Sequence, residues 1–151
     1  GTVRAEAATS LSQLLNDAVA AGVGMKILSS YRSYANQQST YNGWVARDGV
    51  ALADTYSARP GYSEHQTGLA IDLGNGTCDL ETCFGNTAAG IWLKNNATKY
   101  GFVVRYLEDK TSVTGYQYEP WHIRYIGTDV SQKVGNLTLE EYFGLPAAPS
   151  Y

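Results

Sequence analysis

The sequence predicts an α+β domain in which a small, mostly antiparallel sheet is flanked by helices. An amphipathic helical pattern comes first, and short apolar runs then alternate irregularly with further helical patterns. This order differs from the regular strand–helix repeat of a doubly wound sheet. The 151 residues are the usual length of one domain, which we expect to span residues 1–145, with a tail or linker at 146–151.

The first half of the chain predicts two helices and two strands. Apolar residues at three- and four-residue steps indicate a helix over 5–21, which Gly22 and Gly24 end. "VGMKILSS" then predicts a strand, and "YANQQSTYNGWVARDG" predicts a helix closed by Gly49. The turn-rich "SARPGYSEH" leads into "GLAIDLG", whose small and apolar residues are typical of a buried strand.

The second half predicts three helices and two strands. A helix is expected from Thr87 to Tyr100, with Asn86 as the N-cap and Gly101 as the stop. "FVVRY" and "WHIRYI" predict strands separated by a loop, and "DVSQKV" and "LEEYF" predict short helices. Pro120 cannot sit in a regular central ladder, so we expect the backbone to bulge there.

Composition excludes some classes of partner. The net charge is −3 and the chain contains no run of Lys and Arg, so we expect no nucleic-acid partner. No stretch of about 18 apolar residues is present, so we expect no membrane span, and the start of the chain does not resemble a signal peptide.

Cys78 and Cys83 are the only cysteines, and they lie close together in the polar segment "CDLETC". This spacing favours one small disulfide and therefore an oxidising, extracytoplasmic location. The alternative is half of a metal knuckle, which needs partner ligands that the sequence does not supply nearby.

Both histidines of the chain have a carboxylate close by in sequence. His65 precedes Asp72 in "SEHQTGLAID", and His122 follows Glu119 in "EPWH". A hydrolytic zinc site needs about three His or carboxylate ligands and a separate carboxylate base. His65, Asp72 and His122 fit as ligands if Gly68 permits a tight turn, and Glu119 fits as the base.

Structural interpretations of the same residues stay open at this point. A histidine beside a strand is often a hydrogen-bonded structural residue, and "ExWH" alone has little specificity. Asp72 could pair with Arg124 or Arg105 in a buried ion pair, and Glu119 could be a solvated loop residue.

Three separated motifs resemble those of one enzyme family. "SEHQTGLAID" matches SxHxxGxAxD, "EPWH" matches ExWH, and "SSYRSYANQ" lies upstream in the right order. Together they resemble the zinc D,D- and L,D-carboxypeptidases of bacterial cell walls, the VanY and LdcB type, which are related in fold to the hedgehog signalling domain. The similarity extends from about Gly22 to Gly127, and "CDLETC" is not part of the family pattern.

The resemblance implies a role for each matching residue. His65, Asp72 and His122 would be the zinc ligands, and Glu119 the general base. Arg32 would stabilise the oxyanion or hold the terminal carboxylate of the substrate, since a planar guanidinium binds a carboxylate with two hydrogen bonds. Gln37 and Ser63 match positions that help to hold that carboxylate. Without the family, Arg32 could equally pair with Asp48 or Asp54, and Gln37 and Ser63 could be ordinary helix and turn residues.

The implied function is release of the terminal D-alanine from peptidoglycan stem peptides by a monomeric enzyme of the bacterial envelope or a secreted one. The alternatives are an L,D-carboxypeptidase acting on tetrapeptide stems, an endopeptidase, a hedgehog-like module that keeps zinc without using it, and a zinc-free wall-binding domain. We also expect the "CDLETC" loop, Tyr116 and Tyr118 to shape the walls of the cleft.

Overall fold

One four-stranded antiparallel sheet in the order β1-β2-β4-β3 organises the molecule. The structure is a computed structural model that describes residues 2–148. The central strands of the sheet are β2 and β4, and they carry two of the predicted ligands, Asp72 and His122. The strands are β1 (Lys26–Ser29), β2 (Ala70–Gly74), β3 (Phe102–Tyr106) and β4 (Glu119–Tyr125).

Helices precede, interrupt and follow the sheet. The α-helices are α1 (Ala5–Ala20), α2 (Tyr34–Asp48), α3 (Val50–Ala53), α4 (Ala88–Asn96), α5 (Thr111–Thr114), α6 (Thr128–Val134) and α7 (Leu139–Phe143). Three short 3-10 turns cover Glu64–Thr67, Thr82–Asn86 and Ala97–Tyr100. The predicted α+β class with a mostly antiparallel sheet is confirmed.

The hydrophobic core lies between one face of the sheet and helices α1 and α4. Ile71, Leu73 and Ile123 of the central strands are fully buried there, against residues such as Leu14 and Leu93. Because side chains alternate along a strand, Asp72 and His122 point to the opposite face. Burial of one face therefore fixes which side chains are available to form a site on the other.

Several predicted boundaries need correction. The first strand is shorter than residues 23–30, because Lys26 already lies opposite Gly74, the last residue of β2. The N-cap of α4 is Thr87 rather than Asn86, since the Thr87 hydroxyl accepts a 3.0 Å hydrogen bond from the N–H of Gly90. After Asn96 that helix tightens into a 3-10 turn.

The expected bulge at Pro120 is present in the register of β3 and β4. Val104 pairs with Ile123 and Tyr106 pairs with Glu119, so two steps on β3 correspond to four on β4. Strand β2 pairs with β4 only after the bulge, at residues 122–124. Pro120 thus needs no regular ladder position, and β4 begins earlier than the sequence predicts, at Glu119.

Cys78 and Cys83 form the predicted disulfide, which closes the loop after β2. Across residues 2–148, none of the helices combines the length and apolar content that a bilayer crossing requires. Of the predicted tail, residues 149–151 lie outside the described residues, and the N–H of Ala148 donates to the carbonyl of Val113 at 2.8 Å.

Gly90 provides a test of the packing between α4 and the turn before it. A Cβ atom there would lie 2.0 Å from the carbonyl oxygen of Phe84, whereas one at Gly43 in α2 would meet nothing within 4 Å. Gly90→Ala should lower the free energy of unfolding by about 1–3 kcal/mol in urea denaturation. The control Gly43→Ala should raise it by about 0.5–1 kcal/mol. Equal stability of the two variants would contradict this packing.

Candidate metal centre

The candidate site is built on a row of residues that crosses three strands. Asp72 of β2 lies directly opposite His122 of β4, and Ser29 of β1 lies opposite Asp72 on the other side. Paired residues in adjacent strands project from the same face of a sheet. The register therefore brings the Asp72 and His122 side chains together, although they are 50 residues apart in sequence.

His65 reaches the same point from the 3-10 turn that precedes β2. Gly68 ends that turn with a left-handed φ of 72°, a conformation that favours glycine, so the predicted tight turn is confirmed. Nδ1 of His65 lies 2.7 Å from the carbonyl oxygen of Ser30, to which it can donate. The ring is thereby oriented with Nε2 toward Asp72.

The Asp72 carboxylate lies between the two imidazole rings. Its Oδ2 is 3.2 Å from Nε2 of His65, and its Oδ1 is 3.1 Å from Nδ1 of His122. One ligand atom from each of these three buried residues lies within 4.8 Å of the other two. The predicted ligand set is thus brought together, while its role as a ligand set stays a prediction.

The donor set fits a tetrahedral metal ion. Metal–nitrogen and metal–oxygen bonds of about 2.0–2.2 Å place neighbouring ligand atoms roughly 3.3–3.5 Å apart at a zinc ion. In the structure, one ligand atom of each residue lies within 4.8 Å of the other two, and the two carboxylate oxygens of Asp72 each face one ring nitrogen, at 3.2 and 3.1 Å. Two imidazoles and one carboxylate also leave room for a further ligand, which hydrolytic sites require.

Electrostatics at the site reflect buried groups of opposite charge. Burial raises the pKa of Asp72, but hydrogen bonds with His122 and His65 outweigh it and hold that pKa well below its usual range. Burial lowers the pKa of His122, but hydrogen bonds with Asp72 and Glu64 outweigh it and raise that pKa to about 10. A divalent cation would compete with this proton for Nδ1 of His122, because that nitrogen must be unprotonated to bind a metal ion.

Glu119 stands next to the ligand set. Its Oε2 lies 3.8 Å from Nδ1 of His122, and the residue is 6% exposed. Burial raises the pKa of Glu119 to about 8, with Asp72 adding to the rise while His122 and Arg32 oppose it. The alternative of a solvated loop residue is therefore wrong. A cation nearby would favour the ionised form, which is the form that accepts a proton.

Arg32 projects into the same cleft from the segment after β1. Its Nη2 lies 3.4 Å from Oδ2 of Asp72, and Nε and Nη2 both donate to the hydroxyl of Ser29. Nη1 donates to Oε1 of Gln37 at 3.0 Å, and Nε2 of Gln37 donates to the carbonyl of Ala58 at 2.7 Å. Gln37, only 1% exposed, is thus a buried support for Arg32.

An open cleft of about 680 Å³ contains these groups. Ser63 lies in its wall, as do Tyr116 and the loop residues Leu80 and Glu81, so the expected contribution of the disulfide loop is confirmed. Tyr118 is different, because it lines a separate hollow beside Lys94 and Leu137. The expectation that Tyr118 shapes the cleft is wrong.

The alternative ion pairs that the sequence left open for Asp72 and Arg32 do not form. Arg105 and Arg124 pair with Glu64 rather than with Asp72. The partners suggested for Arg32 are also taken, since Asp48 pairs with Arg47 and Asp54 pairs with Arg59.

Sequence reasoning missed Glu64. This residue lies between Ser63 and His65 in the first motif, and its Oε2 lies 3.3 Å from Nε2 of His122. Burial raises the pKa of Glu64, but the hydrogen bond with His122 and the charges of Arg105 and Arg124 lower it to about 2. Its position beside a predicted ligand was the only local signal, and its partners are distant in sequence.

A small antiparallel sheet that carries a buried His–Asp–His group beside a carboxylate and an arginine fits the class of metal-dependent hydrolases. The sequence model of the VanY family, described as D-alanyl-D-alanine carboxypeptidase, matches residues 1–128. The chain belongs to this family, so the predicted resemblance is confirmed.

Similar proteins agree with this assignment. A D-alanyl-D-alanine carboxypeptidase of Enterococcus faecium is 43% identical over 140 residues, which are 91% of this chain and 42% of that protein. The LdcB LD-carboxypeptidase superposes with a TM-score of 0.87 at 42% identity, covering 94% of this chain and 68% of that one. A VanY D,D-pentapeptidase E175A mutant in complex with Zn(II) gives 0.83 at 36% identity, covering 93% and 83%.

The chain spans about half the length of the curated relatives it matches. The similarities therefore concern only the matching part of those relatives.

Asp72→Asn tests the metal site directly. The substitution removes the negative charge between the two imidazole rings. The purified protein should therefore carry well below the roughly one divalent ion per chain that the complete three-ligand set would bind. Elemental analysis after gentle purification measures this. Asp54→Asn is the control, since Asp54 pairs with Arg59 outside the ligand set and its loss should leave metal content unchanged. Full metal content in Asp72→Asn would exclude Asp72 as a ligand.

Proposed function

We propose that the protein is a zinc-dependent D-alanyl-D-alanine carboxypeptidase that removes the terminal D-alanine from peptidoglycan stem peptides. The observation that carries this proposal is the convergence of the buried His65, Asp72 and His122 group with Glu119 and Arg32 in one open cleft. Membership of the VanY family supports the same activity.

The ligand group would hold Zn²⁺, which supplies Lewis acidity at the scissile carbonyl and lowers the pKa of the attacking water. Glu119 accepts the proton of that water, because it is buried beside the ligand set without being part of it. The same carboxyl group then returns the proton to the leaving amine of D-alanine.

Arg32 provides a positive charge beside the ligand set, with Nη2 3.4 Å from Oδ2 of Asp72. Ser29 and Gln37 hold its guanidinium in one orientation before any substrate arrives. A guanidinium oriented in this way binds the terminal carboxylate of a peptide or stabilises the developing oxyanion. The position of Ser63 in the lining of the cleft supports a contact with that carboxylate, while Gln37 acts through Arg32.

The substrate and the disulfide support an extracytoplasmic site of action. Stem peptides lie in the cell wall, and the Cys78–Cys83 bridge persists in oxidising surroundings. Activity on the bacterial cell envelope, either anchored or secreted, accounts for both features.

A second candidate function is removal of D-alanine from tetrapeptide stems. The similarity to the LdcB LD-carboxypeptidase, at a TM-score of 0.87, favours it. The same residues would carry out either reaction, because D,D and L,D cleavage differ in the residue before the scissile bond and not in the chemistry at that bond.

Glu119→Gln should lower kcat by about 10²–10⁴-fold while zinc content stays at the wild-type level. The amide keeps the shape of the side chain but cannot accept the proton of the attacking water. Release of D-alanine and elemental zinc are measured on the same preparation. Glu108→Gln, at an exposed loop position, is the control and should retain full activity. Full turnover by Glu119→Gln would contradict the assigned base, whereas a zinc-loaded wild type without turnover would favour a hedgehog-like binding module.

Three synthetic stems separate the remaining specificities: a pentapeptide, a tetrapeptide, and a pentapeptide with a C-terminal amide. We expect the pentapeptide to lose one D-alanine in mass spectrometry. The amide should be cleaved with kcat/KM at least about tenfold lower, because hydrogen bonds to a charged group contribute about 1.5–3 kcal/mol. Cleavage of the tetrapeptide instead identifies the L,D activity, and internal cleavage of the amide identifies an endopeptidase.

A further inference from the structure

Glu64 is a mostly buried acid that the proposed reaction does not use. Its side chain is 16% exposed and lies on the side of the His122 ring away from Asp72. The neighbouring residues in sequence, Ser63 and His65, both face the cleft. Glu64 also lines the cleft, and its Oε2 lies 3.3 Å from Nε2 of His122.

Two arginines hold the other carboxylate oxygen of Glu64. Nε of Arg105 donates to Oε1 at 2.9 Å, and Nη1 of Arg124 lies 3.2 Å from the same atom. Arg105 also donates from Nη1 and Nη2 to the two carboxylate oxygens of Glu140 in α7, at 3.0 and 2.6 Å. A continuous series of charged contacts therefore runs from His122 to the helix at the end of the described chain.

The two carboxylate oxygens of Glu64 have different partners, and this difference has a chemical consequence. Nδ1 of His122 faces Asp72, so Nδ1 must be unprotonated for His122 to bind a metal ion there. The ring proton is then on Nε2, where it needs an acceptor because the ring is buried. Oε2 of Glu64 is that acceptor, while the arginines occupy Oε1 and keep the carboxylate from rotating away.

We propose that Glu64 is a positioning residue for the metal site: it holds the Nε2 proton of His122 and fixes the orientation of the ring, while Arg105 and Glu140 fix Glu64. Carboxylates that accept from the outer nitrogen of a histidine ligand make the ligand a stronger donor and restrict its rotation. The helix α7 thereby supports the metal site without contacting it. This inference rests on the proposed function only in taking His122 as a metal ligand.

The test measures zinc affinity and the His122 ring rather than turnover. Glu64→Gln keeps the size of the side chain but offers a neutral, weaker acceptor. We expect its zinc dissociation constant, from competition with a chelator, to rise by about 10–100-fold. In the zinc-loaded protein, the Nε2–H proton resonance of His122 should move upfield and exchange faster with water. Unchanged affinity together with an unchanged resonance would overturn the proposal, even if the variant were less stable.

Two substitutions in α7 complete the experiment. Glu140→Gln leaves Glu64 intact and should weaken zinc binding in the same direction but by less, which keeps the proposal testable if Glu64→Gln does not fold. Glu141→Gln is the matched control, because Glu141 pairs with Lys110 and not with the arginines, and it should bind zinc like the wild type. Equal zinc affinity in Glu140→Gln and Glu141→Gln would contradict the proposed support of the metal site by α7. A wild type that binds zinc but releases no D-alanine would contradict the proposed function alone.

Discussion

The pairing of Asp72 with His122 across β2 and β4 is the constraint on which the rest of the site depends. Because side chains alternate along a strand, a shift of one residue in this register would turn one of the two ligands into the core and one core residue into the cleft. The burial of Ile71, Leu73 and Ile123 opposes such a shift. The hydrophobic core therefore determines the geometry of a polar site on the other face of the same sheet.

Around this pair, each buried charge has a defined partner. Asp72 contacts His65, His122 and Arg32, while Glu64 contacts His122 and two arginines. Among the described residues, no buried side-chain nitrogen or oxygen lacks a hydrogen-bond partner. Unpaired buried charges are costly, so the network restricts each side chain to one arrangement. The groups that perform the proposed reaction are thus positioned before substrate binds.

Local sequence patterns predicted the ligand residues and the base, because each lies in a short motif with distinctive spacing. His65 and Glu119 were found in this way, and Pro120 indicated the bulge in β4 through its missing N–H. Glu64 was not found, since its partners Arg105 and His122 are 41 and 58 residues away in sequence and follow no periodic pattern. Helix caps and short 3-10 turns were also misjudged, because neighbouring polar residues such as Asn86 and Thr87 compete for one capping position.

The loop closed by Cys78 and Cys83 has a consequence for how cleft shape can vary among related proteins. The loop contributes Leu80 and Glu81 to the wall of the cleft but none of the three predicted ligands. The disulfide links the two ends of the loop to each other. Substitutions at Leu80 and Glu81 can therefore change the shape of the cleft without altering the register of β2. The shape of the cleft at this loop can thus vary independently of the ligand geometry that the sheet fixes.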